Sequence, residues 1–166
     1  MRALPGRGAS YRAALSFSAM KWLQQLARSI APPRRTDPRF GDLLYMGDKN
    51  RYWEGKSSFP PTGATVAYYI DGDADTDFSA QHANLDHIIA RWQQLAHDLQ
   101  PMLESSAVRE NVPAKQFVVA TVSLPDKPIT AAPEWEIAFV GAGDAEQKVL
   151  FSAKMKGLAP IQIYVD

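Results

Sequence analysis

Four aspartates at alternate positions form the most chemically suggestive cluster of the chain: Asp71, Asp73, Asp75 and Asp77. Clustered carboxylates supply the oxygen ligands that calcium and magnesium ions bind. A calcium-binding helix–loop–helix loop beginning at Asp71 needs glycine at its sixth position and glutamate at its twelfth, where this chain has Thr76 and His82. The pattern excludes that type of loop. It leaves the aspartates as candidates for an irregular metal site, and it favours a solvated loop that caps the following helix.

The three histidines, His82, His87 and His97, all fall within one predicted helix. No two of them are four residues apart, the spacing at which a helix presents two ligands to zinc. At 100° per residue, His82 and His87 point about 140° apart. We therefore expect no metal site shared by two histidines. One alternative hypothesis remains, a small enzyme or metal-binding protein whose site combines the acidic loop with His82 and Asp86.

Other catalytic patterns are absent from the sequence. The chain has no cysteine, which excludes disulfides, thiolate ligands and cysteine nucleophiles. It has no Gly-x-Ser-x-Gly nucleophile elbow. Glu134 and Glu136 would lie roughly 7 Å apart on one strand face, a separation that glycosidases use. Without a recognisable sugar-binding groove, we interpret them as surface charges and candidate partner contacts, and we predict no catalytic residue and no cofactor.

These residues must be positioned by the surrounding elements, of which a long amphipathic helix from Ser79 to Leu103 is the clearest. Its apolar residues recur every three or four positions, as in a helix with one buried stripe. They are Leu85, Ile88, Ile89, Trp92, Leu95, Ala96, Leu99, Met102 and Leu103. Pro101 predicts a kink, or an end of the helix near Gln100.

Alternating apolar and polar residues predict strands on both sides of this helix. Three precede it, at 40–46, 51–59 and 65–70, and four follow it. The inward-facing residues of the first and last of these four are predicted to be Val118, Ala120, Val122 and Leu124, and Ile161, Ile163 and Val165. Trp53 and Gly55 share a strand face, which favours a core role for Trp53 over a ligand-stacking role. The predicted fold is α+β, with a curved antiparallel sheet of six to seven strands packed by one long helix.

Residues 1–36 form a basic arm with seven arginines and lysines and no acid. A short amphipathic helix is predicted over 19–30, followed by a proline-rich linker over 32–38. Trp22 and Arg28 on this helix are candidate partner contacts. The arm could be a targeting peptide, a membrane-surface anchor or a segment that docks on the domain, or translation could start at Met20.

The formal net charge of zero hides an asymmetry, because residues 37–166 hold 11 basic and 18 acidic residues. This acidic body is expected to form one domain that favours a basic protein partner and disfavours nucleic acid. Membrane contact is expected only through residues 1–36. No apolar run approaches the roughly 18–20 residues that span a membrane, and the expected location is the cytoplasm.

Three segments resemble a family of uncharacterised bacterial domains: Phe40-Gly41-Asp42-Leu43-Leu44-Tyr45, Arg51-Tyr52-Trp53-Glu54-Gly55, and Asp71-Gly72-Asp73 before the long helix. That family opens with an FG-L-Y strand and a W-x-G strand, followed by an acidic turn, a helix and a strand-rich half. The resemblance covers roughly residues 38–166 and is weakest over 104–133. It brings no catalytic residues, and some similar domains are immunity proteins beside bacterial toxins. We therefore expect a non-enzymatic protein-binding module, with an immunity protein that masks a basic toxin as the narrower hypothesis.

Overall fold

In the described part of the chain, eight strands form one sheet in which each strand lies beside the next strand in sequence. The structure is a computed structural model that describes residues 31–47, 49–113, 116–142 and 149–166. The strands are β1 Arg34–Asp37, β2 Gly41–Tyr45, β3 Tyr52–Ser58, β4 Thr65–Asp71, β5 Phe117–Leu124, β6 Glu134–Gly141, β7 Leu150–Lys156 and β8 Ala159–Val165. Two helices, α1 Ser79–Ala90 and α2 Trp92–Arg109, connect β4 to β5, and a short 3₁₀ helix spans Ile129–Ala131. All of these elements belong to one compact unit, Arg34–Asp166.

The α+β class is confirmed, but the sheet is larger than predicted and is not purely antiparallel. The described strands form six antiparallel pairs and one parallel pair, β4 with β5. The parallel pair follows from the helical crossover, which returns the chain to the end of the sheet where β4 began. The eighth strand, β1, forms within the segment expected to be a linker. The predicted helix over 19–30, with Trp22 and Arg28, lies outside the described residues.

The long helix is interrupted at Arg91, whose backbone is not helical at φ −109° and ψ 9°. Pro101, where a kink or an end was predicted, lies inside α2, and the helix continues to Arg109. A proline removes one intrahelical hydrogen bond, but Leu99 and Leu103 on either side of it are almost completely buried. Tertiary packing therefore carries the helix through the proline, and the prediction of an end near Gln100 was wrong.

The core lies between the two helices and one face of the sheet. Five residues of the predicted helical stripe are at most 2% exposed, which confirms the assignment of the buried face: Leu85, Ile88, Leu95, Leu99 and Leu103. The sheet supplies larger side chains, among them the fully buried Trp53, Tyr68 and Phe151.

Two β-bulges overturn part of the predicted inward pattern. In β5 the register shifts between Val119 and Thr121, so that Val119 is buried and Val118 is 39% exposed. In β8 the register shifts opposite Lys154 and Met155, and Ile161 is 47% exposed. A bulge adds one residue to one strand and so exchanges the two faces beyond it.

The FG and W-x-G segments have structural roles in this fold. A Cβ atom on Gly55 would lie 2.7 Å from the carbonyl oxygen of Phe40, and one on Gly41 would lie 2.4 Å from that of Lys56. The two glycines therefore permit the close approach of the Phe40–Tyr45 segment and β3. Trp53 is fully buried, which confirms its predicted core role.

Candidate functional site

The four aspartates of the acidic loop have separate contacts. Asp73 forms a two-pronged ion pair with Arg51, with Nε–Oδ1 at 2.8 Å and Nη2–Oδ2 at 3.1 Å. Asp77 Oδ1 accepts hydrogen bonds from the N–H and the hydroxyl of Ser79 at 3.0 and 2.8 Å, and these bonds lower the pKa of Asp77. Asp71 ends β4, where burial and the nearby Asp126 raise its pKa. Asp75 is exposed.

The backbone carbonyls of this loop are used to fix it to the sheet. The indole N–H of Trp53 donates to the carbonyl of Asp73 at 2.9 Å. The guanidinium of Arg35 donates to the carbonyls of Ala74 and Thr76 and lies 5.0 Å above the Trp53 ring. Among the described residues, no group of three or more acidic or histidine side chains could hold a metal ion. The hydrogen bonds from Trp53 and Arg35 anchor this loop, which leads into α1, to the sheet.

Sequence reasoning missed a contact between Asp37 and His82. Asp37 Oδ2 lies 2.9 Å from His82 Nε2, while Asp37 Oδ1 accepts hydrogen bonds from the backbone N–H groups of Arg39 and Phe40. An aspartate that orients a histidine is one part of a general-base arrangement. Within the described parts of the chain, however, His82 makes no hydrogen bond to a hydroxyl group. The pair joins the end of β1 to α1, and no sequence pattern marks it because its members are 45 residues apart.

Asp86, the other residue of the enzyme hypothesis, faces the turn after β1. It forms an ion pair with Arg39, and this hydrogen bond lowers the pKa of Asp86. Arg39 also donates to the carbonyl of His82 at 3.1 Å. His82 and Asp86 are therefore brought together with Asp37 and Arg39. His82 also lies near enough to the acidic loop to contribute to the lowered pKa of Asp77.

Glu134 and Glu136 lie on the sheet face opposite the helices. Lys154 Nζ lies 2.6 Å from Glu134 Oε2, and that contact raises the pKa of Lys154. Glu136 is the cross-strand neighbour of Lys154. Both glutamates are exposed. With a lysine between them, they have the arrangement of surface charges rather than of a catalytic carboxylate pair.

The two edges of the sheet differ in how well they are protected. The edge strand β1 has four residues, lies between Pro33 and Pro38, and has Arg35 held by the acidic loop. Short length, prolines and positive charges are features that prevent an edge from pairing with another chain. The opposite edge strand, β8, has seven residues and carries no charge from Ala159 to Val165. Pro160 and the bulge at Ile161 protect only its beginning.

The hydrogen-bonding phase of β8 shows which backbone groups face outward. Leu150 and Asp166 exchange two hydrogen bonds, at 3.0 and 2.9 Å. Bonded and non-bonded pairs alternate along an antiparallel ladder, so Tyr164 and Gln162 also bond to β7. The N–H and C=O groups of Ile163 and Val165 point away from β7. Among the described strands, β8 has no neighbour on that side.

A groove of about 780 Å³ runs beside this edge, between β8 and α2. Its helix wall includes Met102, Ser105 and Arg109, and its strand wall includes Ile163 and Val165. We call β8 and this groove the β8 edge. Tyr164 is 40% exposed on it.

Comparison with known protein families, curated proteins and solved structures gave no match to this chain. Of the helices in the described ranges, neither has the length and apolar character needed to cross a membrane. Within the described residues, the geometry is that of a mixed α+β protein whose sheet is protected at β1 and has no strand beyond β8.

Proposed function

We propose that this protein is a non-enzymatic protein-binding module that pairs with another polypeptide through the β8 edge. One observation carries the proposal: the charge-free strand β8 has outward-facing backbone groups at Ile163 and Val165, next to an open groove. In strand addition, main-chain hydrogen bonds supply affinity, and pockets for alternate side chains supply specificity. The β8 edge offers both components.

The side chains beside the β8 edge favour an extended, largely apolar segment. Side chains of an added strand alternate between the two sheet faces, so every second one would enter the groove against Ile163, Val165 and Met102. The groove volume of about 780 Å³ is large enough for several side chains. The acidic excess of residues 37–166 would favour a partner that is basic outside this segment.

The contrast with β1 supports a binding role over incidental exposure. Proteins generally protect their edge strands against pairing, and this chain does so at β1 with Arg35 and flanking prolines. At the opposite edge, Gln162 and Tyr164 are exposed and uncharged, and Ile163 between them is 7% exposed. An uncharged edge of this kind is a liability unless another chain covers it.

The test is quantitative mass spectrometry of proteins that co-purify from native cells in about 0.15 M salt, at which surface charges are screened beyond about 8 Å. Three forms of the full chain are compared: wild type, Tyr164→Lys, and the control Val118→Lys. Val118 and Tyr164 are similarly exposed, at 39% and 40%, but Val118 lies in the central strand β5. The expected result is one dominant polypeptide, which is lost with Tyr164→Lys and retained with Val118→Lys.

Two results would overturn this proposal. Absence of any polypeptide near stoichiometric yield, including a second copy of the chain, would argue against a binding module. Equal retention by the wild type and by Tyr164→Lys would place binding elsewhere on the molecule. The narrower hypothesis of a toxin-masking immunity protein remains a prediction, to be judged by the identity of the captured partner.

A further inference from the structure

We infer that the edge strand β1 and the acidic loop that follows β4, residues 72–77, open as one unit, with the side chain of Arg35 as the latch that couples them. Proteins open locally in cooperative units that are less stable than the whole fold. Opening of this unit would expose the backbone groups of β2 that pair with β1 in the closed state. The latch would therefore control how often the protected edge of the sheet is bared, whatever binds the β8 edge.

Neither segment has the apolar side chains that would hold it in place by itself. β1 reads Arg-Arg-Thr-Asp over 34–37, and the loop reads Gly-Asp-Ala-Asp-Thr-Asp over 72–77. Ala74, which is 5% exposed, is the only apolar side chain in these ten residues. Few buried apolar contacts are typical of the segments of a fold that open most readily. Polar contacts must therefore hold both segments in place.

The guanidinium of Arg35 forms the contact between the two segments. It donates one hydrogen bond to the carbonyl of Ala74 at 2.7 Å and another to the carbonyl of Thr76. Its Cζ atom also lies 5.0 Å from the centre of the Trp53 ring and 5.7 Å from that of the Phe78 ring. Both distances are within the range of cation–π attraction. A single side chain thus holds two loop carbonyls and two aromatic rings.

A second polar contact ties β1 to the helix that the loop leads into. Asp37 is the last residue of β1, and its carboxylate lies 2.9 Å from Nε2 of His82, near the start of α1. The contacts of Arg35 and Asp37 therefore join the same two parts of the chain. Contacts that share their partners in this way are coupled, so loss of one makes the other easier to break.

Backbone strain at Phe78 makes the closed loop dependent on these contacts. Phe78 has φ 62° and ψ 8°, a left-handed conformation that is a genuine outlier for a bulky residue and persists only when its surroundings impose it. Its ring is 4% exposed and packs edge-on against Trp53 and Phe40, at centroid distances of 5.6 and 6.4 Å. Opening of the loop would release this conformation, which lowers the free-energy cost of opening.

The first experiment is hydrogen–deuterium exchange of the full chain, over a range of low denaturant concentrations. In the wild type, the amides of 34–37 and those of Gly72 and Thr76 are expected to share one opening constant. Gly72 and Thr76 are suitable reporters because their N–H groups donate to backbone carbonyls. This opening constant should be larger than that of the central strand β6, which opens only with the whole fold.

Two arginine variants test whether Arg35 is the latch. Arg35→Ala is expected to raise the opening constant of both segments by the same factor, about tenfold or more, because hydrogen bonds from a charged donor are lost. Arg34→Ala is the matched control, since successive side chains of a strand point to opposite faces of the sheet. It should exchange as the wild type does. Different factors for the two segments, or equal effects of the two variants, would overturn the inference.

The second experiment locks β1 without altering the loop. Thr36 and Asp42 are cross-strand partners in β1 and β2, and the chain has no cysteine. Paired positions of neighbouring strands are close enough for a disulfide to span. In the double variant Thr36→Cys, Asp42→Cys, oxidation is expected to slow exchange at Gly72 and Thr76 as well as in β1, relative to the reduced form of the same protein. Slower exchange in β1 alone would show that the loop opens by itself and would overturn the coupling.

Discussion

Asp37 Oδ2 lies 2.9 Å from His82 Nε2, and this contact ties the end of β1 to the first helix. Asp37 is 8% exposed, and its other oxygen accepts two backbone N–H groups. The arrangement resembles part of a catalytic site, yet each atom of this carboxylate has a structural partner. The contact explains how β1, a strand of only four residues, is held at the edge of the sheet.

Replacing Asp37 with alanine is expected to lower the free energy of unfolding by about 2–3 kcal/mol. The variant removes the acceptor of the N–H groups of Arg39 and Phe40, and an unsatisfied buried donor costs about 1–3 kcal/mol. Asp37→Asn, which retains one oxygen for those donors, should lose less. Urea unfolding at one fixed protein concentration measures the difference.

Asp42→Ala is the matched control for Asp37. Asp42 is exposed and accepts a hydrogen bond from the Thr36 hydroxyl at 2.8 Å, so its removal should change stability by less than about 1 kcal/mol. Equal losses from Asp37→Ala and Asp42→Ala would contradict the anchoring role.

A pair of glycine substitutions separates steric contact from backbone conformation. Gly41 and Gly63 both have positive φ, at +78° and +70°, but a Cβ atom meets the Lys56 carbonyl at 2.4 Å only on Gly41. Gly63→Ala is therefore expected to cost about 1 kcal/mol for its backbone conformation alone. Gly41→Ala should cost about 3 kcal/mol or more, since β2 and β3 must also separate. Thermal or urea unfolding of both variants would show equal losses if the close approach were unimportant.

The sequence predicted the buried faces of regular elements well, because a helical stripe such as Leu85 to Leu103 depends only on local spacing. The sequence-based prediction failed where one extra residue in a strand shifted the alternation of inward and outward side chains. Val118 and Ile161 were placed inside because alternation continues through β5 and β8 in the sequence, whereas each strand contains a bulge. No residue type at these positions signals a bulge.

The candidate site was not predictable for a different reason. Which strand lies at the edge depends on strand order, and the alternation of apolar and polar residues does not reveal strand order. The contact of Asp37 with His82 joins residues 45 positions apart, so no local pattern marks it. The acidic loop shows the opposite case. It was conspicuous in sequence, but Arg51 and Ser79 satisfy two of its four carboxylates, and its carbonyls bind Trp53 and Arg35.

Pro101→Ala is expected to stabilise the protein. Proline within a helix costs up to about 3 kcal/mol relative to alanine, and Pro101 is exposed, so alanine removes that cost without leaving a cavity. A gain of about 1–3 kcal/mol in urea unfolding is expected, while Ser105→Ala, one turn later on the same exposed wall, should gain less than about 1 kcal/mol. Unchanged stability of Pro101→Ala would mean that α2 carries no strain at the proline.

Asp71 should make the protein less stable as the pH rises. Burial, and then the charge of Asp126, raise the pKa of Asp71 in the folded state. The folded protein therefore holds the Asp71 proton more tightly than the unfolded chain does. The protonated carboxyl contributes fully to the free energy of unfolding below the unfolded-state pKa. That contribution is lost as the pH rises through the folded-state pKa. Asp71→Asn is expected to be more stable than the wild type at pH 7, and the difference should vanish near pH 3. NMR titration of the Asp71 carboxyl should show a lower pKa in Asp126→Asn.

Asp77 provides the control, because its shift has the opposite sign. Hydrogen bonds from Ser79 lower the pKa of Asp77. The Asp77 carboxylate therefore contributes to the free energy of unfolding above its unfolded-state pKa, and this contribution is lost as the pH falls through the folded-state pKa. Asp77→Ala should therefore be less stable than the wild type at pH 7, with a smaller difference at acid pH. If both variants changed stability in the same direction at pH 7, the carboxylates at the two ends of this loop would not have the distinct environments that the structure gives them.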